Sequence, residues 1–223
     1  MTLLQIVTDT TAIQSAEQSI SVLELLMKGG VIMIPLGLMW LVAIYVFVER
    51  LITINKAGKV PESFMNNVKD LVLRGDANGA KLICSQNQTP IARIIEKGIQ
   101  RIGKPIENIE KSMENTGKLE IYKLEKNLVI LTIITGIAPM FGFLGTIAGM
   151  IQTFFNISIT SDITLGAIAG GIYVKMVTSA TGLVIGIMAY IAYSYLNAQI
   201  DKVVNKMEGA SAEFIDVLHA PVK

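Results

Sequence analysis

The residues of this sequence that could do chemistry are polar side chains inside long uncharged segments. Lys175 is the one charge in the stretch 163–200, and Ser179 follows it by one helical turn. Thr146 stands within the 35 consecutive uncharged residues of 127–161. An ionisable residue in an apolar segment is costly and by default marks an ion or substrate pathway. These residue types therefore suggest the passage of a small ion, with hydroxyl groups as hydrogen-bonding partners.

Each of these side chains also has a structural explanation. Lys175 could form an ion pair between subunits or bond to carbonyl groups, and a membrane threonine commonly bonds a carbonyl of its own helix. Lys175 lies about 12 residues, or about 18 Å, from the outer end of its helix, which is too deep for easy snorkelling. Thr146 lies about 11 residues from the outer end of its own helix. We therefore expect a polar belt near mid-membrane and leave both explanations of it open.

The sequence lacks the residues that other common functional sites require. One cysteine, Cys84, and one histidine, His219, cannot supply a disulfide, a Cys/His metal site or a Cys–His or Ser–His–Asp catalytic group. No cofactor motif or interfacial acid cluster is present, so we expect no enzyme activity, no cofactor and no metal. The net charge of +1 offers no basic surplus for nucleic acid. Cys84, His219 and the tail 201–223 are expected to be exposed cytoplasmic residues without a function of their own.

The elements that must position the polar residues are transmembrane helices. The 223 residues are 52% hydrophobic and only 17% charged, against about 25% charged in average soluble domains. Segment 31–48 has no charge and nearly matches a hydrocarbon core of about 30 Å, whereas 127–161 and 163–200 exceed it. We predict an all-α membrane protein with three transmembrane helices, of which the second and third are overlong and extend into the cytoplasm.

Lysine and arginine counts predict the orientation. Region 49–126 holds 14 of them, which places this large loop in the cytoplasm. The first 30 residues hold one lysine and three acids without a cationic run, which favours an external segment over a cleavable signal peptide. The N-terminus is then outside and the C-terminus in the cytoplasm. The predicted segments are an external amphipathic segment 1–30, transmembrane helix 31–50, cytoplasmic helical loop 51–126, transmembrane helix 127–157, external turn 158–164, transmembrane helix 165–197 and cytoplasmic tail 198–223.

Within these segments the apolar spacing is helical. Residues 21–30 fit either an interfacial amphipathic segment or the first turn of the first helix. Pro61 is expected to open a loop helix, residues 74–80 a turn, and Thr89–Pro90 a second loop helix. From Pro105 the spacing continues to Leu128, so we expect the second membrane helix to extend well into the cytoplasm.

Small residues recur four apart on the second and third membrane helices, the pattern that allows close helix approach. The glycines concerned are Gly142, Gly145 and Gly149 on the second helix and Gly166, Gly170, Gly182 and Gly186 on the third. Lys175, Ser179, Gly182 and Gly186 share one helical face. Three helices cannot both bury these glycines and enclose a water-lined route. The sequence therefore predicts a membrane homo-oligomer with a polar inner surface.

Two motifs carry a family resemblance. APMFGFLGTIAGMIQTF at 138–154 is similar to APLLGLLGTVxGMxxxF, and VTSATGLVIGIMAYIAYSYLN at 177–197 is similar to xTTAxGLxxAIPAxxxYN. By these motifs the sequence resembles the ExbB/TolQ/MotA proton-channel family, most closely its ExbB/TolQ branch. The resemblance implies that Thr146 and Ser179 take the places of the family's pore threonines. The family's usual glutamate falls on Val174, and Lys175 stands one position later.

The resemblance further implies a pentameric ring of such chains in the lipid of a bacterial inner membrane. The ring would surround a dimer of a single-span ExbD-like partner, whose membrane aspartate accepts the proton, and would work on a TonB-like envelope protein. Thr146, Ser179 and Lys175 would then line the ion pathway. A TolQ-like or gliding-type stator is an alternative use of the same ring. A second alternative is a self-sufficient pore or scaffold in which Lys175 selects anions or is structural.

Overall fold

The computed structural model describes residues 30–61, 63–160 and 165–219 of the chain. These ranges contain no β-strand, so the all-α prediction is confirmed. Residues 1–29 of the predicted external segment, residues 161–164 of the predicted turn and the last four residues of the tail lie outside the described residues. The helices are α1 (Met33–Ala57), α2 (Ser63–Leu73), α3 (Ala77–Gln86), α4 (Pro90–Ile99), α5 (Ile106–Glu125), α6 (Leu128–Thr160) and α7 (Leu165–His219).

Three of these helices, α1, α6 and α7, are long and apolar enough to cross a membrane by length and composition. The 33 residues of α6 extend for about 50 Å and the 55 residues of α7 for about 80 Å, against a hydrocarbon core of about 30 Å. The prediction of three spanning helices, with the second and third overlong, is confirmed.

Helix α7 continues through the predicted start of the tail at residue 198. Its apolar positions keep their helical spacing beyond that point, since Ile200, Met207 and Phe214 are all buried. A stripe of this kind stabilises a helix by packing whether or not the segment is in a membrane. The predicted tail is therefore part of the same continuous helix up to His219.

The helical spacing that runs from Pro105 into the second membrane span is divided between two helices by a short turn. Helix α5 ends at Glu125 and α6 begins at Leu128, with Lys126 extended at ψ 136° and Asn127 at φ 68° between them. Asparagine tolerates this left-handed conformation better than most residues. The apolar spacing passes across the turn without a gap, so periodicity alone could not reveal it.

The described residues form two compact units. The first contains residues 30–38 and 137–185, and the second contains residues 39–136 and 186–219. The first unit holds the parts of α6 and α7 that carry Thr146, Lys175 and Ser179. The second holds α2 to α5 together with the C-terminal part of α7.

Helix α4 forms the centre of the second unit. Its apolar residues are buried on several sides, and a methyl group at Gly98 would lie 2.6 Å from the Phe214 ring and 2.7 Å from the Met113 sulfur. The helix begins as predicted, with Pro90 in its first turn and the Thr89 side chain accepting a hydrogen bond from the Ala92 amide at 3.4 Å. Helix α4 is thereby packed closely against both α5 and α7.

Helix α3 was not expected from the sequence, which predicted only a turn at 74–80. Asp76 caps it by accepting a hydrogen bond from the Gly79 amide at 2.8 Å. Helix α3 also buries Cys84, which is 1% exposed. The expectation of an exposed cysteine is therefore wrong, because the thiol packs as a small apolar group.

Burial predicts the reactivity of Cys84. Burial, with a smaller contribution from Glu96, raises the pKa of the thiol from 9.0 to about 12. The thiolate is the nucleophile, so iodoacetamide at pH 8 should label the urea-unfolded chain and leave the folded chain unlabelled. Because the unfolded thiol ionises first, the free energy of unfolding should fall as the pH rises from about 9 to about 12. Rapid labelling of the folded chain would contradict this burial.

Candidate functional site

The centre of the first unit is a direct contact between the backbones of α6 and α7. A methyl group at Gly182 would lie 2.5 Å from the Ala138 carbonyl oxygen and 2.9 Å from the Gly142 Cα atom. A methyl group at Gly142 would lie 3.1 Å from the Cα atom and the carbonyl oxygen of Ser179. Only glycine allows the two backbones to approach this closely.

Further contacts continue this packing along the helix pair. The side chain of Thr178, which is fully buried, lies over Gly145, and its Cγ2 would be 2.7 Å from an added methyl group. The aliphatic part of Lys175 lies over Gly149. Thr153 lies over Gly171 from the opposite direction, with Oγ1 2.6 Å from an added methyl group. The two helices thus interlock through small residues on both sides.

The structure places the predicted glycines in three different settings. Gly142, Gly145, Gly149 and Gly182 contact the neighbouring helix of the same chain, so they do not by themselves require self-association. Gly166 and Gly170 face open space. Gly186 is buried in the second unit.

Thr146 lies on α6 one helical turn after Gly142. It is partly buried, and its hydroxyl donates a hydrogen bond to the Phe143 carbonyl oxygen at 2.6 Å. The hydroxyl retains acceptor capacity after this bond, because its oxygen has two lone pairs. Toward an incoming molecule, Thr146 therefore offers a hydrogen-bond acceptor.

The surface around Thr146 is apolar. Helix α6 exposes large side chains on the turns before and after this residue, namely Phe143, Leu144, Ile147, Met150 and Ile151. An isolated hydroxyl within such a surface is solvated poorly by lipid and is available to a polar group that docks there.

Lys175 and Ser179 are both partly buried beside the α6–α7 contact. The backbone of Ser179 contacts Gly142, while the Lys175 stem covers Gly149. The described residues of the first unit include no Asp or Glu, and Lys175 has no ion pair with any residue in the described ranges. A counter-charge for Lys175 must therefore come from outside these ranges.

The contact between Lys175 and Gly149 predicts a compensating pair of substitutions. Gly149→Ala should place a methyl group against the flexible lysine stem and lower the stability by about 0.5–1.5 kcal/mol, the cost of moving that stem off its rotamer. Adding Lys175→Ala should recover much of that loss, because it removes the overlapping atoms. Unfolding of the four proteins of this double-mutant cycle in lipid nanodiscs measures the coupling.

Gly170→Ala serves as the control, since Gly170 faces open space on the same helix as Lys175. Strictly additive effects of Gly149→Ala and Lys175→Ala would show that the two residues are not in contact.

Known proteins match the region that contains these contacts. Residues 86–209 match the family described as the MotA/TolQ/ExbB proton channel family. The chain is 28% identical over 189 residues to a putative biopolymer transport protein ExbB homolog of Methanothermobacter thermautotrophicus, covering 84% of this chain and 67% of that one. It is 30% identical over 165 residues to the putative biopolymer transport protein ExbB-like 3 of Synechocystis, covering 72% and 78%. It is 28% identical over 117 residues to the Tol-Pal system protein TolQ of Pseudomonas aeruginosa, covering 52% and 51%.

Proposed function

Because the chain belongs to the MotA/TolQ/ExbB proton channel family and is similar to proteins named ExbB and TolQ, we propose that it is the ring-forming subunit of an inner-membrane motor driven by the proton motive force. The ring is a pentamer that surrounds a dimer of a single-span, ExbD-like partner. Its work is delivered to a TonB-like protein that energises transport across the envelope. The N-terminus lies outside and the C-terminus in the cytoplasm.

The observation that carries this proposal is the partly exposed hydroxyl of Thr146 beside a surface of exposed apolar side chains. The hydroxyl donates its hydrogen bond to the Phe143 carbonyl oxygen. The hydroxyl oxygen can therefore accept a hydrogen bond from a protonated carboxylic acid of the partner. A bond of this kind favours the neutral form of the acid and raises its pKa. In this position Thr146 stabilises the partner in its proton-loaded state.

Lys175 has the opposite effect on the same acid. A nearby ammonium group favours the ionised carboxylate and lowers the pKa of the acid. A partner carboxyl that moves between the surroundings of Lys175 and Thr146 would therefore release and take up a proton. A unit charge that crosses 100 mV provides about 2.3 kcal/mol for this motion.

The partner must supply the acid in this mechanism. Val174 stands where the resemblance places the family's glutamate, and the described residues of the first unit carry no carboxylate. Ser179, beside the same contact, provides a second hydroxyl on the pathway. The close packing of Gly142 and Gly182 keeps α6 and α7 together in each subunit while the partner moves.

Ring formation also accounts for the exposed apolar side chains of the spanning helices. On α7 the large residues Leu183, Val184, Ile187 and Ile191 are exposed in the isolated chain. Neighbouring subunits and lipid would cover such surfaces. In a cyclic ring, every subunit covers the same apolar surfaces of its neighbours.

Native mass spectrometry tests this assembly. The protein should be expressed from its own chromosomal locus and extracted from its membrane, so that any partner is present. We expect a pentamer that retains a small single-span chain with an acidic residue in its span. A pentamer or monomer that never retains another chain would instead favour a self-sufficient pore or scaffold.

A TolQ-like or gliding-type stator is the second candidate, and the match to TolQ favours it. Both candidates use the same ring and the same pathway residues. The identity of the envelope protein captured with the ring distinguishes them.

A further inference from the structure

The second unit contains a cavity of about 460 Å³ between α1, α4 and α5. Three of the side chains that line it are cations, Lys56, Arg93 and Lys123, and one, Glu120, is an acid. The cavity thus carries a net positive charge.

Glu120 cannot neutralise this cavity by itself. Its carboxylate is 5% exposed and accepts hydrogen bonds from Arg93 Nη1 at 2.8 Å and Lys123 Nζ at 2.6 Å. Both cations remain accessible, with side chains 44% and 59% exposed. Lys56 is exposed as well and has no ion pair with a described residue. One carboxylate therefore holds two cations in place, and the three cations together exceed it by two charges.

The N-terminus of α4 adds to the positive potential. Thr89 and Pro90, at the start of this 10-residue helix, line the same cavity. A helix N-terminus carries a partial positive charge that favours anions. The cations and this helix end converge on one space.

The cavity lies at the end of the apolar spans. Arg50, two residues after the uncharged run of α1, donates a hydrogen bond to the Lys123 carbonyl oxygen at 3.2 Å. Lys56 is about 9 Å further along α1, within reach of the headgroup zone of a bilayer. The exposed side chain of Ile52 lines the same cavity. A cationic cavity with an apolar edge at this depth fits an amphipathic ligand.

We propose that this cavity binds the phosphate of an anionic phospholipid headgroup. Lys56, Arg93 and Lys123 contact the phosphate, and Ile52 lies beside the glycerol or the upper acyl chain. A bound lipid would tie the end of α1 to α4 and α5. The proposal rests on the membrane placement given in the proposed function, and the shared chemistry, a phosphate anion, could also come from free inorganic phosphate.

Native mass spectrometry of the full chain with added lipid tests this site. With equal amounts of phosphatidylglycerol and phosphatidylcholine, we expect the chain to retain phosphatidylglycerol preferentially. Lys56→Gln should reduce its retention about fivefold, as expected for the loss of one cation near a headgroup. Lys69→Gln is the matched control, because Lys69 is an exposed lysine of α2 that does not line the cavity. Equal retention of the two lipids, or equal losses in the two variants, would overturn the proposal.

Two further experiments test whether free phosphate occupies the cavity and whether net charge sets the retention of lipid. Millimolar sodium phosphate should leave the retained phosphatidylglycerol unchanged, whereas its displacement by phosphate would assign the cavity to the free anion. The double variant Arg93→Gln, Glu120→Gln removes one charge of each sign and should retain more lipid than Lys56→Gln; equal or lower retention would overturn the role of net charge. The presence of the partner chain is read in the same spectra, so loss of lipid with the ring and partner intact overturns this site and leaves the proposed function standing.

Discussion

Gly182→Ala is expected to force α6 and α7 apart and to cost about 2–3 kcal/mol of stability, near the upper end for overpacked sites. The added methyl group would lie 2.5 Å from the Ala138 carbonyl oxygen and 2.9 Å from the Gly142 Cα atom. Both neighbours are backbone atoms, so a rotamer change cannot relieve the overlap. Unfolding of the reconstituted protein in nanodiscs measures the loss, and native mass spectrometry reports whether the ring survives.

The control for this prediction is Gly170→Ala on the same helix, where an added methyl group meets nothing within 4 Å. It should change the stability by less than about 1 kcal/mol, since alanine is also the better helix former. If Gly182→Ala were as stable as this control, α6 and α7 would not pack through Gly182 and Gly142.

Thr146→Val is expected to leave the ring assembled and to reduce partner-dependent work at least about fivefold. Valine keeps the shape of the side chain but removes the oxygen that would accept the partner's hydrogen bond. Leaving the hydroxyl of a neutral acid without its acceptor in an apolar site costs about 1–3 kcal/mol, or roughly five- to a hundredfold. Energy-dependent transport in cells that carry the variant at the native locus measures the effect.

Two variants make the Thr146 experiment specific. Thr146→Ser keeps the hydroxyl and should retain most of the work. Ser158→Ala removes an exposed hydroxyl of α6 that likewise donates a hydrogen bond to the carbonyl oxygen three residues earlier, Phe155, at 2.8 Å, and it should have little effect. Normal transport by Thr146→Val would remove Thr146 from the pathway.

The large features of the fold follow from charge and length. A segment without charges over 127–161 has few options other than a membrane span, and the motif residues around Thr146 and Ser179 indicate the family that the later comparisons confirmed. Thr89–Pro90 also predicts the start of α4, because capping is a local property of the sequence.

Other features depend on neighbours that a sequence pattern does not show. Gly142 and Thr146 are one turn apart, yet Gly142 is buried against α7 and Thr146 is only partly buried. Thr178 is fully buried over Gly145, and the sequence pattern does not distinguish it from the adjacent Ser179. The left-handed turn at Asn127 is a single backbone conformation without a periodic signal.

The residues of the cationic cavity also could not be grouped from the sequence, because they lie far apart along the chain. Lys56, Arg93 and Lys123 are spread over three helices and nearly 70 residues, counted from position 56 to position 123. In the sequence, each of them resembles the ordinary loop lysines and arginines that set membrane orientation. Only the packing of α1, α4 and α5 brings them around one space.

Proton flux through the isolated complex tests the central claim most directly. The complex captured from its own membrane, with and without the single-span partner, is reconstituted in liposomes under a pH gradient and a membrane potential. The account predicts proton entry only when the partner is present, and a large loss of that entry with Thr146→Val. Equal flux from this chain alone, or no flux from the complex that retains the partner, would contradict a partner-dependent proton motor.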